Sequence, residues 1–147
     1  MKMENKITII LELNNKNKDI INSFINDESI KIYRSDNVER NILIVLKELG
    51  MPSNLHGYRY VKEAIKLCIN NYDYLHPNML LYPVLSKKFN VNNWMIEKSI
   101  RDAITITWNK GNYEYQNELF GYTIDKDKGK PTNGEFIAQI VNYLSTI

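Results

Sequence analysis

The stretch LSKKFNVNNWMIEKSIRDA, Leu85 to Ala103, decides how the rest of the chain is read. It holds two helical patterns joined by a short link, and the residues at the join fit a helix-turn-helix. Leu85 and Phe89 fall on the side of the first helix that faces a partner, and Ser86 supplies a small residue where two axes cross closely. Asn90 is a good candidate, after glycine, for the left-handed geometry that a tight turn needs. Val91 plugs the turn with an apolar side chain. Ile96 and Ile100, four apart, give the second helix its buried side. That phase starts the second helix at about Asn93 and leaves Trp94, Met95, Glu97, Lys98 and Arg101 on its outer side. Such a helix can lie in a major groove with its N-terminal residues at base edges. Lys87, Lys88, Arg101 and Lys110 would then meet phosphates. Two helices meeting at a corner with a solvated charged face show the same pattern, and periodicity alone does not choose between them.

Outward from this stretch the pattern is mostly helical. NVERNILIVLKELG, from Asn37, offers Val38, Ile42, Ile44, Val45 and Leu49 as core positions, and Gly50 as a C-terminal stop. YRYVKEAIKLCINN carries a stripe of Tyr60, Val61, Ala64, Ile65, Cys68 and Ile69. Pro83 fits the first position of the helix that enters the opening stretch. After a short aromatic helix and the polar loop TIDKDKGKP, a last helix begins at Thr132. The spacing T-N-G-E to Glu135 is a capping box, and Phe136, Ile137, Ile140, Val141 and Leu144 form its apolar face. The first residues read differently. Ile7–Leu13 is a β-rich apolar run, Asn17–Asp27 has a helical face, and Ser29–Ser35 alternates. The expectation there is a short strand-helix-strand segment.

Composition narrows the function. With 147 residues, 44% hydrophobic and 24% charged, the chain is expected to form one domain with a small appendage. One cysteine and two histidines make no metal-ligand cluster, and Cys68 in its apolar stripe reads as a buried thiol. There is no P-loop and no nucleophile beside a base, so neither an enzyme nor a cofactor is expected. No apolar run is long enough to span a membrane and none resembles an export signal, so a cytoplasmic location is expected. The net charge of +2 permits nucleic-acid binding without announcing it, so the argument rests on where the charges sit.

The runs ELGMPSNLHGYRYVKEAI, LYPVLSKKFN, IEKSIRDAI with Trp108 following, WNKGN, LFGYT and KGKPTNGEFIAQI are collinear. Together they resemble the C-terminal effector domain of the sporulation-initiation response regulators of spore-forming Firmicutes, over roughly three-quarters of the chain. The resemblance implies a mainly α fold: about six helices containing a helix-turn-helix at about 82–110, in a domain spanning 37–147. It also implies binding of double-stranded DNA at short boxes, often in tandem. Glu97 and Lys98 fall where that family carries a Glu-Arg pair facing the bases. Lysine lacks the planar fork of arginine, which points to a relaxed or altered preference. Met95 stands where the family has another base-reading arginine, and Trp94 where it has a small residue. Arg101, Lys87 and Lys88 are retained, and Lys128 and Lys130 match basic residues that contact the backbone. Asn112–Tyr122 matches a part associated with RNA polymerase, although Tyr113, Tyr115, Phe120 and Tyr122 equally suit a core.

The first 36 residues depart from the family's full receiver domain. The expectation is a receiver remnant or a short replacement that takes no part in phosphorelay, which leaves DNA binding independent of phosphorylation, constitutive or controlled by a different partner. A homodimer seeded by the expected strands is a further expectation. The alternative is a protein-interaction module, an antagonist that pairs with the full-length regulator or with polymerase without reading DNA.

Overall fold

In the computed structural model, the described residues are 28–121, 124, 127 and 129–147, with side chains from 37 onward. The chain divides into two units, Met1–Asp36 and Asn37–Ile147. Among the described residues there are six α-helices: α1 Glu28–Leu49, α2 His56–Asn70, α3 Tyr82–Phe89, α4 Asn93–Lys110, α5 Tyr113–Phe120 and α6 Asn133–Thr146. A 3₁₀ turn, Tyr72–Leu75, and a π-helical turn, Pro77–Leu81, connect α2 to α3.

The described residues contain no strand, which corrects the expected strand-helix-strand segment. Ser29–Ser35, read as alternating, lies inside α1. A helix satisfies its backbone from within, whereas a strand needs a neighbouring strand. Seven alternating residues are too short a signal to override the continuous helical run that follows. Ile7–Leu13 and Asn17–Asp27 lie outside the described residues.

The helix ends follow local chemistry. α1 stops where Gly50 takes φ +81°. Gly50 N–H donates to Lys47 O and Met51 N–H to Leu46 O, at 2.9 and 3.0 Å, the two bonds of a Schellman cap. Thr132 accepts from Glu135 N–H while the Glu135 carboxylate accepts from Thr132 N–H, so the capping box forms at the head of α6. Pro83 sits in the first turn of α3, where its missing N–H leaves nothing unsatisfied.

The core joins one stripe from each helix of the unit 37–147. Ile42, Val45, Leu46 and Leu49 come from α1, and Tyr60, Val61, Ala64, Ile65 and Cys68 from α2. Ile44, expected in this core, is exposed, and Leu46 is buried in its stead. The buried stripe of α1 runs 42, 45, 46, 49, and residue 44 points away from it. Trp108 meets Phe120 and Phe136 edge-on, at 5.0 and 6.0 Å between ring centres, and so ties α4, α5 and α6 together. Phe120 therefore belongs to the core, while Tyr113 is exposed and Tyr115 half-buried. Tyr122 lies outside the described residues.

α2 packs across α4 and α6. At its N-terminal end the backbone of Gly57 lies directly on α4, where a β-carbon would stand 2.0 Å from Ser99 O and 2.8 Å from Ala103 Cβ. Neither neighbour is a flexible side-chain end that could move aside. Gly57→Ala should therefore destabilise the domain by about 1–3 kcal/mol or more, read as a lower urea midpoint.

Burial pushes the Cys68 thiol up to about 11 from its ordinary 9.0. The folded state thus favours the neutral thiol. Its contribution is fully present below pH 9 and is lost as pH rises through about 11. Urea titrations across that interval should show stability falling more in the wild type than in Cys68→Ala.

Candidate nucleic-acid interface

The turn between α3 and α4 is built from side chains that were legible in the sequence. Asn90 adopts the left-handed conformation, φ 54° and ψ 46°, alone among the described non-glycine residues. Ser86 O accepts from Val91 N–H at 3.1 Å, and the Ser86 hydroxyl donates back to Val91 O. Ser86 therefore closes the turn by hydrogen bonding rather than merely by being small. Val91 is half-buried against the core, as is Phe89. Asn92 caps α4, its side-chain oxygen accepting from Met95 N–H at 2.8 Å.

With this cap in place, Ile96, Ile100, Ala103, Ile104 and Thr107 face inward and the opposite side faces solvent. At about 100° per residue, Lys98 stands opposite that buried stripe, at the outermost point of the helix. Asn93, Trp94 and Met95 are exposed in the first turn, with Trp94 61% accessible. Arg101 is exposed and Glu97 half-buried. Trp94, Lys98 and Arg101 thus share one face, with Met95 and Glu97 at its two edges, while Asn93 is exposed at the end of the helix about 140° around from Lys98. Lys87 and Lys88 flank it from the end of α3 and are both exposed.

Lys130 reaches this face from the loop before α6. Its Nζ donates to Thr105 Oγ1 at 2.5 Å, one turn beyond Arg101. Asn133 holds the loop in place: its amide nitrogen donates to Glu97 O and to Tyr82 OH, both at 3.0 Å. A cleft of about 410 Å³ between loop and helix is lined by Glu97, Arg101, Ile104 and residues 130–133. Burial raises the Tyr82 phenol above its usual range, against the lowering effect of the Asn133 hydrogen bond, so it stays protonated at neutral pH. Lys110 falls elsewhere, about 18 Å along the helix from Lys98 and on the side opposite Arg101. Lys128 lies outside the described residues.

The charges on the face are already paired. Arg101 Nη1 lies 2.5 Å from Glu97 Oε1, and Lys98 Nζ lies 2.6 Å from Asp102 Oδ2. Lys88 pairs with Glu63 of α2. Exposed pairs of this kind contribute little to stability and exchange readily for another partner. Asp102, Thr105 and Asn133 were not singled out from the sequence. The i+4 spacing from Lys98 and Arg101 could have found the first two. Asn133 is 36 residues from Glu97 and carried no local signal. Arg59, also missed, lays its guanidinium over the Phe89 ring at 5.5 Å, beside Lys87 and Lys88.

A turn of this construction, with an outward helix face carrying Lys98 and Arg101, is the geometry of a helix-turn-helix reader. The family model described as sporulation initiation factor Spo0A C terminal matches residues 42–144. The chain belongs to this family. The Spo0A C-terminal family is one of DNA-binding transcription regulators, the effector domains of sporulation response regulators, and the mainly helical fold agrees with it. The match spans all of α2–α5, most of α6 and the last two turns of α1. Among the described residues no helix is long and apolar enough to cross a membrane.

The cap fixes where α4 begins, and therefore where Trp94 and Met95 point. Asn92→Ala should cost about 1 kcal/mol of stability. It should also speed amide exchange at Met95 and Ile96 while leaving the rest of α4 protected.

Proposed function

We propose that this domain is a sequence-specific reader of double-stranded DNA that places α4 in the major groove. The observation that carries the reading is the capped, left-handed turn that leaves Lys98 at the outermost point of an exposed helix. In this reading Glu97 and Lys98 meet base edges: a glutamate accepts from a cytosine amino group, and a lysine donates to guanine. Trp94 and Met95, exposed ahead of them with Asn93, add apolar contact to thymine methyl groups. Arg101, Lys87, Lys88 and Lys130 hold phosphates, and the Asn133 bridge keeps the Lys130 loop against the helix. Lys128 joins them through the family resemblance alone. Lys110 has no part in this face.

The same reading has the domain occupy short boxes in tandem as a pair, without needing phosphorylation. RNA polymerase is the proposed partner of the segment around α5, where Tyr113 is exposed.

A second reading has one observation in its favour. Glu97, Lys98, Arg101 and Asp102 sum to zero charge, and Trp94 and Met95 are exposed beside them, which also suits a protein-interaction module. Fluorescence anisotropy on a duplex carrying the family's tandem box, against scrambled duplex at two salt concentrations, separates the two. A DNA reader binds the box more tightly and loses affinity steeply with salt. An interaction module binds neither duplex and co-elutes with a protein partner.

The roles also separate by substitution. Arg101→Ala should weaken binding across all sequences, while Lys98→Ala should cost about 1–3 kcal/mol at one base pair. Equal losses on every duplex from both changes would contradict the assignment.

A further inference from the structure

We propose that Asp102 is a specificity-determining residue of the α4 face, acting as a latch on Lys98. The proposal rests on the DNA reading above and deepens it. Lys98 is the outermost cation of the helix, and its ammonium is held 2.6 Å from the Asp102 carboxylate, one turn further along. Both side chains are about half exposed, at 45% and 52%.

Stability does not account for this aspartate. A lysine four residues before an acid is the weaker orientation of an i, i+4 pair, and aspartate is a poor helix former at an exposed interior position. The neighbouring Glu97–Arg101 pair has the favourable orientation. What Asp102 does is place a carboxylate on the surface that DNA must approach, and occupy a cation that would otherwise be open to any phosphate within reach.

The consequence differs between the right and the wrong sequence. On a non-preferred duplex the base acceptors are misplaced for Lys98, so it stays on Asp102 and contributes no phosphate contact. On the preferred duplex a base acceptor takes the lysine, and the latch opens. Asp102 thereby suppresses sequence-independent affinity, the term that phosphate contacts supply to every duplex alike.

The test uses the full chain, a duplex chosen by selection from random DNA, and a scrambled duplex, each titrated by anisotropy over a range of salt. Asp102→Asn should tighten binding to the scrambled duplex by about two- to fivefold. Its salt slope there should steepen by about one unit, the signature of one more phosphate neutralised. The selected duplex should gain less and keep its slope, so discrimination falls. Glu114→Gln, on the exposed side of α5, removes the same charge elsewhere and should change neither slope. Equal gains for Asp102→Asn on both duplexes, or no gain on either, would overturn the latch while leaving the DNA reading intact. A wild-type chain that binds no duplex at any salt would overturn the DNA reading and the latch with it.

Discussion

The close crossing of α2 and α4 at Gly57 is the constraint on which the rest of this domain depends. With no β-carbon at that position, the α2 backbone rests on Ser99 O and Ala103. α2 thereby fixes the height and rotation of α4, and the same helix packs on α6 and carries the middle of the core. Once α4 is pinned there, Ile96, Ile100 and Ile104 have one way to face. The outer side is then set to within the tolerance of a packed interior, which is small because interiors are close-packed.

A second set of contacts anchors the far end of the same helix. Gln116 of α5 donates to Thr107 O at 2.7 Å and to Leu49 O at 3.4 Å, and Asn112 N–H donates to Leu49 O at 3.1 Å. These bonds satisfy Leu49 O, at the end of α1, and add a second donor to Thr107 O in the last turn of α4; both residues are buried, where unpaired backbone groups are costly. Gly50 and Gly111 meet at this junction, and a β-carbon on Gly50 would stand 2.7 Å from Gly111 Cα. The helix that faces outward is thus held by close backbone approach at its middle and at its C-terminal end. Its exposed side chains, Trp94, Met95 and Lys98 among them, are free to vary without loss of the fold.

Much of this was legible locally. The turn announced itself through Asn90 and Val91, the head of α6 through Thr132 and Glu135, and the buried faces of α2 and α4 through apolar spacing. Each is a short-range effect: a backbone conformation few residues tolerate, a side chain reaching its own helix, or a period of 3.6. The failures were also physical. Ser29–Ser35 alternates over too few residues to outweigh the helix that runs through it. Ile44 sits in an apolar run whose phase the sequence leaves ambiguous, and only burial in the folded core selects Leu46 over it. The pairing of Lys98 with Asp102 was available from spacing, but it is overlooked when only the cations are counted.

By itself the sequence determined most helices of the unit 37–147, the ends at Gly50 and Thr132, the turn and the family, because these rest on contacts within a few residues or on collinear motifs. Tertiary structure alone decided which cations share a face. It set Lys130 beside Thr105 and Arg101 and bridged Asn133 to Glu97. The physical reason is distance along the chain. Lys130 and Thr105 are 25 residues apart, and only the packing of α6 and its loop against α4 brings them into one site.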